Sequence, residues 1–255
     1  MTAWLPAALV GVGAGILSGA FGVGGGVLTT PAIRLLLGQP ELIAVGTPLP
    51  AILPTAIAGA AAHARSGTAD VRTGLVTGAL GVPAAVVGAL LTPVVGGTAV
   101  LIVTAVVIVA VAIDMLRGNG SGRRERIAAP PPRPRLPVLG ALGVATGLYS
   151  GFLGLGGGFV LVPLLNRALG MSIKRSIGTS LVAVAVLAVP GSLTHWTLGH
   201  VDAGLAFVLA VGAVPGALLG ARLNAWATER TIRVAFAVML ACVGALLAAH
   251  ETGIV

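Results

Sequence analysis

Apolar segments separated by short polar loops run along the whole chain, and they divide into two sets of five. The first set covers residues 4–20, 25–38, 41–65, 70–92 and 97–116, and the second covers residues 137–152, 157–170, 173–197, 202–224 and 230–250. Apolar runs with few charges are typical of helices that cross a membrane. The pattern therefore predicts an all-α polytopic membrane protein with two membrane units, residues 1–116 and 137–255, joined by a linker over residues 117–136.

The second segment of each set is too short to cross a bilayer. A helix over the 14 residues 25–38 or 157–170 would extend about 21 Å, whereas the hydrocarbon core is about 30 Å thick. A glycine-rich stretch precedes each segment, and glycine is a poor residue for a helix interior. We predict about eight full crossings and two short, glycine-broken re-entrant segments, with a pair of steeply inclined helices as the alternative.

The third segments of the two sets differ in proline content. Three prolines follow Thr47 within residues 41–65, whereas the equivalent residues 173–197 contain Pro190 alone. Proline removes a helical hydrogen bond and breaks or kinks a helix. We therefore predict a break close to Thr47 in the first unit that the second unit does not share.

The two sets repeat one another at a fixed offset. The stretch GVGAGILSGAFGVGGGVLTTP ends at Pro31 and GVATGLYSGFLGLGGGFVLVP ends at Pro163, which gives an offset of 163 − 31 = 132. The same offset pairs Ser18 with Ser150, Gly22 with Gly154, Gly24–Gly26 with Gly156–Gly158, Thr47 with Thr179, His63 with His195 and Asp70 with Asp202. A repeated membrane unit with a glycine-broken segment at matching positions points to a transporter and to its binding site.

The positions of the basic residues predict that the two units are inserted in opposite orientations. The linker is the most basic loop, and Lys and Arg are concentrated in cytoplasmic loops, so we place it in the cytoplasm. Counting crossings from the linker places the loop at Arg65 inside and its equivalent around Gly199 outside. The sequence thus predicts an inverted-topology repeat with an external C-terminus.

Composition agrees with a polytopic membrane protein and argues against other classes. Mean hydropathy is +1.05 and 9% of the residues are charged, against about 25% in soluble domains. The net charge of +8 lies in a few short loops, so we expect a lipid bilayer and no nucleic acid as partner. The single cysteine, Cys242, excludes a multi-cysteine metal site, and neither a metal nor a cofactor is expected. Without a constellation of titratable groups at one depth, we predict no enzyme.

The glycine-rich stretches are candidates for an anion site made of main chain. A helix N-terminus carries unpaired N–H groups and a partial positive charge, and glycine lets a ligand approach them closely. The candidate binding residues are Gly22, Gly24, Gly25, Gly26, Gly154, Gly156, Gly157, Gly158, Ser18, Ser150, Thr47 and Thr179. The alternative is that the glycines only permit tight turns and close packing, and that the threonine hydroxyls bond to their own helices.

His63 with Asp70, and His195 with Asp202, recur at the same spacing across the loop between the third and fourth segments. Such pairs could exchange protons near neutral pH. We favour the structural alternative, in which each aspartate caps a helix N-terminus.

The doubled G-x-[FL]-G-x-GGG-x(4)-P motif, the five segments per half and the basic central loop resemble the TauE/SafE family of sulfite exporters. The resemblance extends over essentially the whole chain. It implies a bacterial or archaeal plasma-membrane protein that moves small sulfur-containing anions such as sulfite, sulfoacetate or thiosulfate. Alternating access between the two halves is the leading hypothesis for its mechanism, and an anion channel with a fixed glycine-turn filter is the alternative. Whether two chains form a homodimer is left open.

Overall fold

A computed structural model describes residues 4–117 and 135–251, and the regular structure of these residues is helical. The helices are α1 Trp4–Phe21, α2 Gly26–Leu35, α3 Glu41–Gly46, α4 Pro48–Arg65, α5 Val71–Val95, α6 Gly97–Arg117, α7 Leu136–Leu153, α8 Gly158–Leu169, α9 Ile173–Thr197, α10 Ala203–Trp226 and α11 Glu229–Glu251. The predicted linker falls, apart from its two ends, on residues 118–134, outside the described residues.

Eight helical segments among the described residues are long and apolar enough to cross a membrane. They are α1, α3 together with α4, α5, α6, α7, α9, α10 and α11. Helices α2 and α8 have 10 and 12 residues and are too short to cross. The predicted all-α polytopic membrane fold is confirmed, whereas the re-entrant path of the two short segments stays a prediction.

The break predicted near Thr47 is present. Helix α3 ends at Gly46 and α4 begins at Pro48, and the two count together as one span over Glu41–Arg65. Proline suits the first turn of a helix because the N–H that it lacks has no intrahelical partner there. Helix α9 continues through Pro190 without interruption, so the two halves differ at this point.

The helix of the first segment of each half packs along the helix of the fourth segment of the other half. Gly11, Gly15 and Gly19 of α1 lie, in that order, against the backbone of Leu209, Ala213 and Ala217 of α10. The equivalent seam joins Gly143, Gly147 and Gly151 of α7 to Thr77, Gly81 and Ala85 of α5. In each seam the residue numbers of the two helices increase in the same direction, so the paired helices run parallel. Small residues allow this close approach, which is how membrane helices associate without a hydrophobic driving force between them.

Helices α4 and α9, which are equivalent in the repeat, meet in the interior. A Cβ added to Gly59 would lie 2.9 Å from Leu181 Cδ1, and one added to Gly191 would lie 3.4 Å from Leu49 Cδ1. The start of each helix thus faces the end of the other, so α4 and α9 run antiparallel. Leu49, Ile52, Ala56, Leu181, Val184 and Ala188 form the buried cluster between them.

Large apolar side chains cover much of the outer surface. Phe207 is 70% exposed, Val94 79% and Trp226 84%. A water-soluble protein rarely exposes contiguous apolar surface on this scale, whereas a protein in a bilayer presents it to lipid.

Candidate functional site

Two glycine turns lead from long helices into the two short ones. We call Gly22–Gly25 the first turn and Gly154–Gly157 the second turn. Each contains three glycines with φ between +67° and +92°. Residues with a Cβ rarely adopt this left-handed conformation, so the turns require glycine. They reverse the chain, and α2 begins directly after the first turn and α8 directly after the second.

The backbones of the two turns are in contact with each other. A Cβ added to Gly26 would lie 2.6 Å from the Cα and the carbonyl oxygen of Leu155 in the second turn. One added to Gly158 would overlap the carbonyl oxygen of Gly22 in the first turn. The structure therefore brings together the two sets of candidate glycines and sets the N-termini of α2 and α8 side by side.

Ile52 of α4 and Val184 of α9 pack against both turns. A Cβ on Gly24 would lie 2.9 Å from Val184 Cγ1 and 3.2 Å from Ile52 Cγ2, and a Cβ on Gly156 would lie 3.2 Å from Ile52 Cδ1. The two apolar residues are equivalent in the repeat, because 184 − 52 = 132. They form an apolar contact where the two halves meet.

A small cavity adjoins the first turn. It has a volume of about 10 Å³ and lies beside Gly24 and Gly25, with Thr29, Thr55 and Ile52 in its wall. A single water molecule needs about 10–15 Å³ by the same measure. An anion of four or more heavy atoms does not fit in this space, so the structure is closed around the first turn.

The candidate serines lie at the ends of the helices that enter the turns. Ser18 and Ser150 are fully buried, and neither hydroxyl has a hydrogen-bond partner among the described residues. The same holds for Thr146 and Thr77, which the sequence interpretation missed. Thr146 precedes Ser150 by four residues and shares its helix face, which is the signal that could have identified it.

The candidate threonines tie the two halves together. The Thr179 hydroxyl accepts a hydrogen bond of 2.9 Å from the backbone N–H of Asp70, and the Thr47 hydroxyl accepts one of 3.0 Å from that of Asp202. Both threonines are fully buried. Their hydroxyl oxygens therefore bind the third segment of one half to the start of the fourth segment of the other half.

Both aspartates cap helices, as the structural alternative predicts. Asp70 Oδ1 accepts from Thr73 N–H at the start of α5, and Asp202 Oδ1 accepts from Leu205 N–H at the start of α10. Burial raises the pKa of Asp70, but the hydrogen bonds from Thr73 and the neighbouring Arg175 guanidinium outweigh it, so the pKa lies below its usual value. Asp70 thus remains an ionised cap at neutral pH.

Each histidine braces the helix that enters a glycine turn. His63 Nε2 lies 2.8 Å from the Gly19 carbonyl oxygen, and His195 Nε2 lies 2.9 Å from that of Gly151. A carbonyl oxygen only accepts, so each Nε2 donates its proton. The His195 Nδ1 atom then accepts from His200 Nδ1 at 3.2 Å. Burial lowers the pKa of His200, which lies in the loop after α9, so this ring is neutral near pH 7.

The His195→Ala substitution should destabilise the protein without changing the pH dependence of transport. It removes the donor to the Gly151 carbonyl and leaves a void, which together cost about 2–4 kcal/mol. Thermal unfolding in detergent measures the loss, with Thr194→Ala as the control, because Thr194 bonds only within its own helix. Unchanged stability combined with a flattened pH profile would instead indicate proton coupling through His195.

Charged side chains lie at helix ends and not at the turns. Arg34 pairs with Glu41 at 2.6 Å, Arg167 with Asp114 at 2.6 Å and Arg175 with Asp70 at 3.0 Å. The side chains that contact the turns are apolar or carry neutral hydroxyls. Within residues 4–117 and 135–251, no group of three or more His, Cys, Asp or Glu side chains could hold a metal ion.

Comparison with known proteins gives a consistent match over most of the chain. The family model "Sulfite exporter TauE/SafE" matches residues 7–247. A "probable membrane transporter protein" of Xylella fastidiosa (strain 9a5c) is 32% identical over 83% of this chain and 80% of its own length. The "probable membrane transporter protein YdhB" of Bacillus subtilis is 28% identical over 91% of this chain and 95% of its own length. No solved structure matches the chain.

Proposed function

The chain belongs to the sulfite exporter TauE/SafE family, and from that premise we propose that it is a permease which moves small sulfur-containing anions by alternating access. Its relatives are named as membrane transporters, which fits transport and not catalysis. The observation that carries the proposal is the meeting of two helix N-termini where the two glycine turns touch. Both turns belong to one chain, so the proposed site does not require a homodimer.

The meeting of the two N-termini supports an anion as the substrate. An α-helix leaves its first N–H groups without intrahelical partners, and those of α2 and α8 start at Gly26 and Gly158. Each terminus also carries about half a positive charge. Sulfite, sulfoacetate and thiosulfate all present oxygens that accept such hydrogen bonds.

The arrangement of the halves supports alternating access. Equivalent helices α4 and α9 run antiparallel, as they would if the halves were inverted repeats. Ile52 and Val184 pack against both turns where the two halves meet. In a carrier, relative movement of the halves would open this contact to one side of the membrane at a time. A channel with a fixed filter would instead need a continuous pore.

Transport assays in proteoliposomes test this function. Purified protein should take up labelled sulfite, thiosulfate or sulfoacetate with saturating kinetics, and internal substrate should accelerate the uptake of labelled external substrate. Accelerated exchange requires a carrier whose binding site, with substrate bound, returns across the membrane faster than the empty site does. Flux that rises linearly with concentration and shows no exchange would support a channel, and the absence of flux for every sulfur-containing anion would refute the proposal.

We further propose that the protein lies in a bacterial or archaeal plasma membrane with its central linker in the cytoplasm. The basic residues of the linker support this orientation. Cysteine labelling checks it on a Cys242→Ala background, using two positions outside the described residues. An impermeant reagent added outside intact cells should label Gly253→Cys and spare Ser121→Cys. The reverse pattern would invert the orientation, and labelling of both would refute the placement of the linker and the C-terminus on opposite sides of the membrane.

A further inference from the structure

The two glycine turns have similar backbones but different neighbouring side chains. At the position four residues before the equivalent serines, Ala14 stands in α1 and Thr146 in α7. In the short helices the difference is reversed, because Thr29 of α2 corresponds to Leu161 of α8. Each turn therefore has its own set of hydroxyls, and their hydrogen bonds show which set is available to a ligand.

Two threonine hydroxyls beside the first turn donate hydrogen bonds to the backbone. Thr29 Oγ1 donates to the carbonyl oxygens of Gly25 at 3.2 Å and Gly26 at 3.4 Å. Thr55 Oγ1 donates to the carbonyl oxygen of Ala51 at 2.7 Å. Of the hydroxyls in α1 and α2, those of Ser18 and Thr30 are left unpartnered, and the residue one helical turn before Ser18 is an alanine.

The hydroxyls beside the second turn are buried and unpartnered. A Cβ added to Gly157, the N-cap of α8, would lie 2.8 Å from Thr146 Cγ2 and 3.2 Å from Ser150 Cβ. Both side chains are fully buried, and neither hydroxyl has a partner among the described residues. Thr77, equally buried and unpartnered, belongs to the adjoining helix α5, where its backbone lies against Gly143. Leaving several buried hydroxyls unpaired is costly unless a ligand uses them.

The surroundings of the second turn also restrict the charge of a ligand. The side chains nearest the second turn are neutral, namely Ile52, Val184, Thr146, Ser150 and Val45. Hydroxyls and N–H groups can stabilise one negative charge in a dry site. A second charge without a neighbouring cation would be far more costly, because the desolvation penalty rises with the square of the charge.

From these contacts we infer that the second turn is the substrate subsite and that it takes a singly charged sulfur oxoanion, namely hydrogen sulfite or a monosulfonate. The oxygens of the anion accept hydrogen bonds from the Thr146 and Ser150 hydroxyls and from the first N–H groups of α8. This inference rests on the proposed function and adds to it a location, two side-chain ligands and a charge.

Removing each hydroxyl in turn tests the location. Thr146→Val keeps the side-chain shape, and Ser150→Ala removes a single oxygen. In proteoliposomes, each should raise the half-saturating concentration of labelled sulfite about tenfold or more, because each deletes a hydrogen bond to a charged group. Thr29→Val is the matched control beside the first turn and should change this concentration less than threefold.

Thermal unfolding separates a ligand from a structural side chain. Thr146→Val should not lower the unfolding temperature, because its hydroxyl has no partner to lose, whereas Thr29→Val should lower it. An unshifted half-saturating concentration in both Thr146→Val and Ser150→Ala would overturn the inference. So would a rise in Thr29→Val equal to that in Thr146→Val.

Competition against labelled sulfite tests the charge. Methanesulfonate, with one charge, should inhibit uptake at concentrations at which thiosulfate, with two charges, does not. Equal inhibition by the two anions would overturn the charge selectivity. Normal sulfite flux with no effect of the hydroxyl variants would refute this inference alone, whereas no flux of any sulfur anion by the wild-type protein would refute the proposed function as well.

Discussion

The Gly158→Ala and Gly26→Ala variants should fail to form the folded transporter. Both glycines lie in helices, where alanine is ordinarily favoured by about 0.5–1 kcal/mol. At these two positions, however, the new methyl group would enter the backbone of the opposite turn, at 2.6 Å from Leu155 Cα for Gly26. Backbone atoms cannot change rotamer to make room, so we expect a loss of more than about 3 kcal/mol.

The amount of folded protein and its unfolding temperature in detergent measure this effect. Gly140→Ala is the control, because its methyl group would lie 3.9 Å from Leu80 Cδ1 of the neighbouring helix α5, an ordinary van der Waals contact. It should leave stability unchanged or slightly raised. Wild-type stability and transport in Gly158→Ala would show that the two turns are not in contact.

The double variant Ile52→Ala with Val184→Ala should convert saturable transport into a leak. The two side chains pack against both glycine turns, and truncating them removes the apolar contact beside the turns, where the two halves meet. We expect flux that rises in proportion to the gradient and a loss of accelerated exchange by at least tenfold. Influx and exchange of labelled sulfite in proteoliposomes measure the two quantities.

The double variant Leu49→Ala with Leu181→Ala is the matched control. These leucines are equivalent to each other in the repeat and are fully buried between the same two helices, but they lie against Gly191 and Gly59, whereas the atoms nearest to Gly24 and Gly156 of the turns belong to Ile52 and Val184. The control should lose stability, by about 2–5 kcal/mol for each leucine, without gaining a leak. If Ile52 and Val184 can be truncated with exchange intact, the barrier lies elsewhere.

The helices and glycine turns could be predicted because local sequence determines them. Apolar length defines the spans, and clustered glycines define chain reversals with positive φ. The repeat also related the two halves of the chain to each other, since a glycine motif that occurs in both halves predicts two similar turns. The break at Thr47 followed from proline chemistry in the same way.

The partners of individual hydroxyls could not be predicted, because they depend on packing across the repeat. The Thr47 hydroxyl bonds to the N–H of Asp202, 155 residues away along the chain. In the sequence, nothing distinguishes Thr146 from the other small residues of a glycine-rich helix, and only the fold shows that it lies against Gly157. Ile52 and Val184 occupy equivalent positions, but two different aliphatic residues in apolar helices give no sign that they meet both turns.

The seams that join α1 to α10 and α7 to α5 also constrain how the protein is made. Helix α1 is synthesised before its parallel partner α10, which follows only after residues 22–202. Until then, the glycine face of α1 must rest against lipid or against an insertion factor. The first five segments cannot complete their packing as an independent unit, because both seams need helices of the second half. Cellular quality control that acts on the chain before the second half is made would therefore encounter an incompletely packed protein. Assembly is therefore completed only when the second half has entered the membrane.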